Sequence, residues 1–238
     1  MIRERFFFRE TIATILADEA AHIAAAKRGI LCARQVLEKY IARDPFFLTT
    51  FDPYVPDSDD PVIRRMADAG QKASVGPMAA VAGTIAWAGI DAMVEEGAEF
   101  GVIDNGGDIA LINASRPVRV GIHAGTSPLS NRFAFFIPPK KEISGICTSS
   151  ATVGPSISFG VADSVTVFSK NPALADAWAT AVCNRIRTDD TSVFSDLDPE
   201  KITGVFAVLG DYTERWGDIP PIVPAVVDEH LISAGDRL

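Results

Sequence analysis

In the run Ala175-Asp176-Ala177-Trp178-Ala179-Thr180, a carboxylate and a hydroxyl stand four residues apart. In a helix that spacing places both oxygens on one face, while Leu174, Trp178 and Ala181 take the opposite face. Oxygen donors suit magnesium or calcium rather than zinc, and magnesium completes a small protein ligand set with water and substrate phosphate. Asp176 and Thr180 are therefore candidate metal ligands. An aspartate favoured by the dipole of the first helical turn, with a threonine bonding back to a carbonyl, accounts for the same pair without a metal.

Two other segments carry the residue types of a phosphate site. Asn105, Gly106, Gly107 and Asp108 lie between two apolar runs, where glycines permit positive φ and can leave amides free for a phosphate. The same tetrapeptide is a leading hairpin-turn signal. From Gly145 to Gly160 the chain holds six hydroxyl side chains, three glycines and one thiol, interleaved with Ile146, Val153, Ile157 and Phe159. Within it, Cys147, Thr148, Ser149 and Ser150 are the candidate contacts to a polar, phosphate-bearing ligand, unless the stretch is only a solvated loop. No base neighbours Cys147 in sequence, so an inert small residue is expected there rather than a nucleophile. His22, His123 and His230 form no metal-binding pattern, and Trp87 and Trp178 sit in apolar runs where core packing is the ordinary role.

These residues need elements to position them. Phe6 to Phe8 and the alternation from Thr11 to Leu16 predict a strand pair joined at Arg9-Glu10. Helical spacing predicts a first helix over 18–43, ended by Asp44-Pro45, and a surface loop over 52–60 precedes a helix over 61–73. Pro77 starts an apolar helix over 78–96, rich in alanine and glycine, that should run through the centre. Strands at 99–104, 108–113, 118–123 and 132–137 read as one antiparallel meander. A strand over 163–169, a helix over 171–187 capped by Asn171 with Pro172 first, and a late strand over 205–209 complete the order. Long helices with hairpin-linked strands define an α+β class, and with no separating linker, residues 1–238 are expected to form one domain.

Composition excludes some partners. A net charge of -9 repels a nucleic-acid backbone. Three separated cysteines without CxxC spacing fit reduced thiols in cytoplasm rather than a disulfide framework or zinc knuckle. The first nine residues have too few consecutive apolar positions for an export signal, and the apolar stretch over 75–94 is interrupted by Thr84 and Asp91, so it is expected to be a core helix and not a membrane span.

The succession Val75-Gly76-Pro77-Met78-Ala79-Ala80-Val81-Ala82-Gly83, Asn105-Gly106-Gly107-Asp108-Ile109, Gly145-Ile146-Cys147-Thr148-Ser149-Ser150 and Ala175-Asp176-Ala177-Trp178-Ala179-Thr180 resembles the ApbE-like family UPF0280, related to the FAD:protein FMN transferases. The resemblance spans nearly the whole chain. It implies a T-fold-related architecture of helices packed on mostly antiparallel sheet, with Asp176 and Thr180 matching the transferases' magnesium ligands. By the same resemblance, Asn105 to Asp108 and Cys147 to Ser150 would contact the flavin nucleotide. The implied reaction has magnesium on the FAD pyrophosphate while a hydroxyl of an acceptor protein attacks phosphorus and AMP leaves. The transferases' His-x-x-Asp-Pro-x-Thr-Gly stretch has no counterpart here, since residues 152–161 contain neither histidine nor aspartate. A flavin or metabolite binder without turnover and an oligomeric scaffold without ligand remain alternatives, and a homo-oligomer is expected from the resemblance alone.

Overall fold

The structure is a computed structural model describing residues 1–152, 160–190 and 192–227. Val153, Ile157 and Phe159, singled out in the hydroxyl-rich stretch, and His230 lie outside the described residues.

The chain opens as a hairpin, β1 (Ile2–Phe8) against β2 (Thr11–Ala17), with Phe8 opposite Thr11 across the turn at Arg9-Glu10. Helix α1 (Ala20–Arg43) follows, then a single turn, α2 (Phe46–Thr49), too short for helical periodicity to register. Helix α3 (Pro61–Ala73) has the predicted limits, and Asp60 caps it by accepting from the Val62 amide at 2.9 Å. The apolar helix does not start as one piece: a 3₁₀ turn, Pro77–Ala80, leads into α4 (Val81–Glu95), a common tightening at a helix N-terminus. The run Pro77–Glu95 is long and apolar enough to cross a bilayer, yet half of its window is packed inside the protein.

Strands β3 (Phe100–Asn105) and β4 (Asp108–Asn113) form the second hairpin. The expected meander ends there. Strands β5 (Val118–Gly121) and β6 (Phe133–Ile137) leave the sheet and pair with each other. The place beside β4 goes instead to β7 (Ser144–Ser149), a segment for which no strand is expected from the sequence. Strand β8 (Ser164–Ser169), helix α5 (Pro172–Arg185), strand β9 (Gly204–Leu209) and two strands not expected from sequence, β10 (Tyr212–Gly217) and β11 (Ile222–Pro224), complete the order. The result is an eight-stranded antiparallel sheet, β1-β2-β3-β4-β7-β8-β9-β10, and a small sheet, β11-β6-β5.

Period-two alternation divides the main sheet into two packed faces. Ala110 and Ile112 of β4, Cys147 of β7 and Val165 and Val167 of β8 face the helices. Ile109 and Leu111, Ile146 and Phe168 face the small sheet, where Phe135 meets the Phe168 and Phe206 rings edge-on at 4.9 and 5.6 Å. The most enclosed helix is α5 rather than α4: every residue from Pro172 to Ala179 is buried. Its predicted division into a polar and an apolar face is therefore corrected, because β7 and β8 lie beneath it and α3 and α4 beside it. Asn171 caps α5 as expected, accepting from the Leu174 amide at 3.0 Å. Asn171→Ala is expected to lower stability by about 1 kcal/mol in denaturant titration.

Candidate functional site

Three elements bring the acidic groups together at one end of the main sheet. The β3–β4 turn has Gly106 at φ 71° and Gly107 at φ 101°, the double positive φ of a tight two-residue hairpin. Space around Gly106 is open, so backbone conformation alone requires the glycine. The Gly107 amide is not free for a phosphate, since it donates to Asp104 Oδ1 at 2.8 Å. Asn105 Nδ2 donates to the Ala82 carbonyl oxygen at 3.1 Å, tying the turn to the start of α4.

Helix α5 contributes the second anchor. Asp176 is 7% exposed, and its Oδ2 accepts from the Gly83 amide at 2.8 Å. A carboxylate on one helix thus meets the positive N-terminal end of another. The approach is close enough to require a glycine: a Cβ at Gly83 would stand 2.6 Å from the Pro172 carbonyl oxygen and 2.9 Å from Asp176 Cβ. Gly83→Ala must push α4 and α5 apart, and a loss of about 1–3 kcal/mol is expected in thermal or denaturant unfolding.

Burial raises the Asp176 carboxyl from its ordinary 3.8 to about 7, although the Gly83 and Ala82 amides pull it down. Asp108, the first residue of β4, lies on the helix-facing side in line with Ala110 and Ile112. Its carboxyl is pushed well above the ordinary value by desolvation first, then by the charges of Asp176 and Asp104, against hydrogen bonds from the Thr148 amide and the Cys147 thiol. Asp108 is half-buried by exposure, and the two charges that act on it, those of Asp176 and Asp104, are both negative. Cys147, opposite Asp108 in the β4–β7 ladder, is fully buried, with Sγ 3.5 Å from the Pro172 carbonyl oxygen. Burial, then the charges of Asp108 and Asp176, push its thiol well up, so it is no thiolate nucleophile at neutral pH.

The hydroxyl segment is divided by the strand that carries it. Cys147 and Ser149 point to the helix face, while Thr148 points to the other, where its Oγ1 lies 2.9 Å from Thr166 Oγ1. Ser150 follows the strand and its Oγ accepts from the Thr152 amide at 3.0 Å. Thr148 acts toward Asp108 through its backbone, not its side chain. Thr180, one turn beyond Asp176, is half-buried and is the single residue between Pro172 and Cys183 with appreciable exposure. Gly83 and Ala82 were not singled out as site residues in the sequence. A small residue on an apolar helix gives no local signal of a carboxylate from another helix, whereas the strand alternation of β7 would have separated Thr148 from Cys147 and Ser149.

Among the described residues no three His, Cys, Asp or Glu side chains converge in a metal-holding group. Buried Asp176, half-buried Asp108 and half-buried Thr180 are the oxygen donors that could serve magnesium, which accepts a sparse protein set together with water and phosphate. His123, by contrast, is held in the β5–β6 connection, with Nδ1 3.0 Å from Asn131 Oδ1. A cleft of about 550 Å³ is a separate feature between the two sheets, lined by Ile122, Phe133, Phe206 and Arg215 among others.

An eight-stranded antiparallel sheet with helices on one face and a smaller sheet on the other is the fold of the ApbE class. Solved structures of low sequence identity share it. The apo flavinyl transferase ApbE of Pseudomonas stutzeri has a TM-score of 0.61 at 12% identity, covering 99% of this chain and 98% of that one. The ApbE protein of Thermotoga maritima has a TM-score of 0.57 at 13% identity, covering 90% and 96%. A family model described as AbpE bacteria matches residues 8–210. UPF0280 proteins of Methanoregula boonei and Methanoculleus marisnigri are each 63% identical, over 100% of both chains in the first case and 99% of this chain and 96% of the relative in the second. This chain belongs to the ApbE-like UPF0280 family.

Proposed function

We propose that the protein binds a flavin nucleotide, FAD, with magnesium at Asp176 and Thr180, and that it cleaves the pyrophosphate to transfer FMN to a hydroxyl of an acceptor protein. The observation that carries this is buried Asp176, held by the Gly83 amide, with half-buried Asp108 near enough for the Asp176 charge to act on it. Two such charges are costly unless a cation or protons neutralise them. The flavin part rests on the family, and on the solved relatives whose names describe flavin transferases.

Magnesium, when bound, withdraws charge from the pyrophosphate and makes AMP a better leaving group. Asp176 and Thr180 would hold it, and Asp108 would add negative charge that favours its retention. The start of α4 keeps Asp176 oriented through the Gly83 amide. In the transfer, the bond from the acceptor oxygen to the FMN phosphorus forms, the phosphorus–oxygen bond to AMP breaks, and the acceptor proton passes to solvent. Asn105, Gly106, Gly107 and Asp108, with Cys147, Thr148, Ser149 and Ser150, would line the nucleotide site. Their contributions differ: Asn105 and Cys147 act by shaping the site, and Ser149 and Ser150 offer hydroxyls near the strand end.

Purified protein incubated with FAD and magnesium, then separated by chromatography, is expected to release AMP, and EDTA is expected to stop the release. FAD retained intact would favour a second reading, a binder without turnover, for which the absence of histidine and aspartate from residues 152–161 speaks. Neither release nor retention would remove FAD as the ligand.

A further inference from the structure

We propose that the surface from Asp44 to Asp60 docks a basic, apolar polypeptide segment, which on the transfer reading above is the segment that accepts FMN. Four large apolar side chains project there: Phe46, Leu48, Phe51 and Val55 are 58, 47, 69 and 74% exposed. Scattered exposed apolar residues are ordinary, but a cluster on one short segment marks an interaction surface.

The surface is built on a fixed frame. Phe47 is fully buried, with its ring edge-on to Tyr40 at 5.0 Å and to Tyr54 at 6.1 Å. The Tyr54 and Tyr40 hydroxyls both donate to Asp44 Oδ2, at 2.8 and 3.1 Å. Gln71 of α3 donates to the Tyr54 carbonyl oxygen at 3.2 Å. The exposed side chains are thus presented by a backbone already held in place, and such preorganisation lowers the entropic cost of binding.

Charge selects the partner. Residues 44–60 contain five aspartates and no lysine or arginine. Asp59 is paired with Arg64 at 2.7 Å, Asp60 caps α3, and Asp44 receives the tyrosines. Asp52 and Asp57 have no ion-pair partner among the described residues. Apolar residues interspersed with unpaired carboxylates complement a segment of lysines or arginines interspersed with apolar residues, and the net charge of -9 adds long-range attraction.

Position links this surface to the acidic site. Thr50 and Phe51 lie against Gly76, where a Cβ would stand 2.0 Å from the Thr50 carbonyl oxygen. From Gly76 the chain runs through the 3₁₀ turn and the first turn of α4 to Gly83, a rise of about 12 Å at the usual helical spacings. A segment docked at Phe51 therefore needs only a few residues to bring a serine or threonine hydroxyl to the carboxylates.

The test uses a fluorescein-labelled peptide alternating lysine with leucine and phenylalanine around one threonine, and a counterpart with glutamate for lysine. Anisotropy is read without FAD or magnesium, so the outcome does not depend on transfer. Wild type should bind the basic peptide roughly tenfold or more tightly than the acidic one, more weakly as salt rises. Leu48→Ser with Val55→Ser should reduce that binding roughly tenfold, and Asp52→Lys with Asp57→Lys should reverse the preference, with thermal unfolding unchanged in both. Equal binding by wild type and both variants, no preference for the basic peptide, or a dimer in sedimentation that the serine variant dissolves would overturn the proposal. Absence of AMP release alongside surface-dependent peptide binding would sink the transfer reading and leave the docking surface standing without its acceptor role.

Discussion

In the Asp176→Asn variant, magnesium-dependent release of AMP from FAD is expected to fall by roughly 100-fold or more, the scale of losing one charged group aimed at transition-state charge. Asparagine keeps an oxygen able to accept from the Gly83 amide, now at 2.8 Å from Asp176 Oδ2. The α4–α5 contact therefore survives while the charge is removed. Asparagine also removes the penalty of a buried carboxylate, so metal-free unfolding at neutral pH should show a variant no less stable than wild type. Loss of activity with unchanged or raised stability would separate a metal ligand from a helix-capping group. Undiminished AMP release, or magnesium binding equal to wild type in calorimetry, would remove Asp176 as a ligand.

Stability of the metal-free protein is expected to decline between about pH 4 and pH 7. The folded-state carboxyl of Asp176 stands at about 7 against 3.8 in the ordinary case. Across that window the folded protein holds a proton that the unfolded chain has released, so raising the pH favours unfolding. The full effect above pH 7 is on the order of 4 kcal/mol, at 1.36 kcal/mol for each tenfold change in proton affinity. Asp108, raised by burial and by Asp176 itself, acts in the same direction. Magnesium in excess should restore stability on the alkaline side, by roughly 2.7 kcal/mol at a concentration 100 times its dissociation constant. Denaturant titrations in EDTA and in magnesium at several pH values check both signs. A flat EDTA profile through this window would show that Asp176 has an ordinary proton affinity and carries no penalty for a cation to relieve.

Much of the site was legible because its signals are local. Proline at the first helical position and asparagine before it mark α5, and the Asn-Gly-Gly-Asp tetrapeptide marks the β3–β4 turn, each by backbone chemistry within four residues. Strand β7 was not legible, since Ser-Gly-Ile-Cys-Thr-Ser has little strand preference of its own. Its extended state comes from two ladders, to β4 on one side and β8 on the other. The departure of β5 and β6 into a second sheet was hidden for a related reason: Ile122, Phe135 and Ile137 bury against Phe168 and Phe206, distant in sequence.

The sequence by itself determined the α+β class, the opening hairpin, the limits of α3, the cap of α5 and the placing of an aspartate and a threonine one helical turn apart. These depend on spacing, on φ preferences and on which backbone amides a nearby side chain can reach. Only the tertiary structure decided that Asp176 is buried, that its oxygen meets the Gly83 amide, that its charge acts on Asp108, and that Thr148 and Cys147 look to opposite sides of one sheet. Desolvation and charge repulsion arise between groups tens of residues apart, so they exist only once α4, α5 and the central strands have packed against one another.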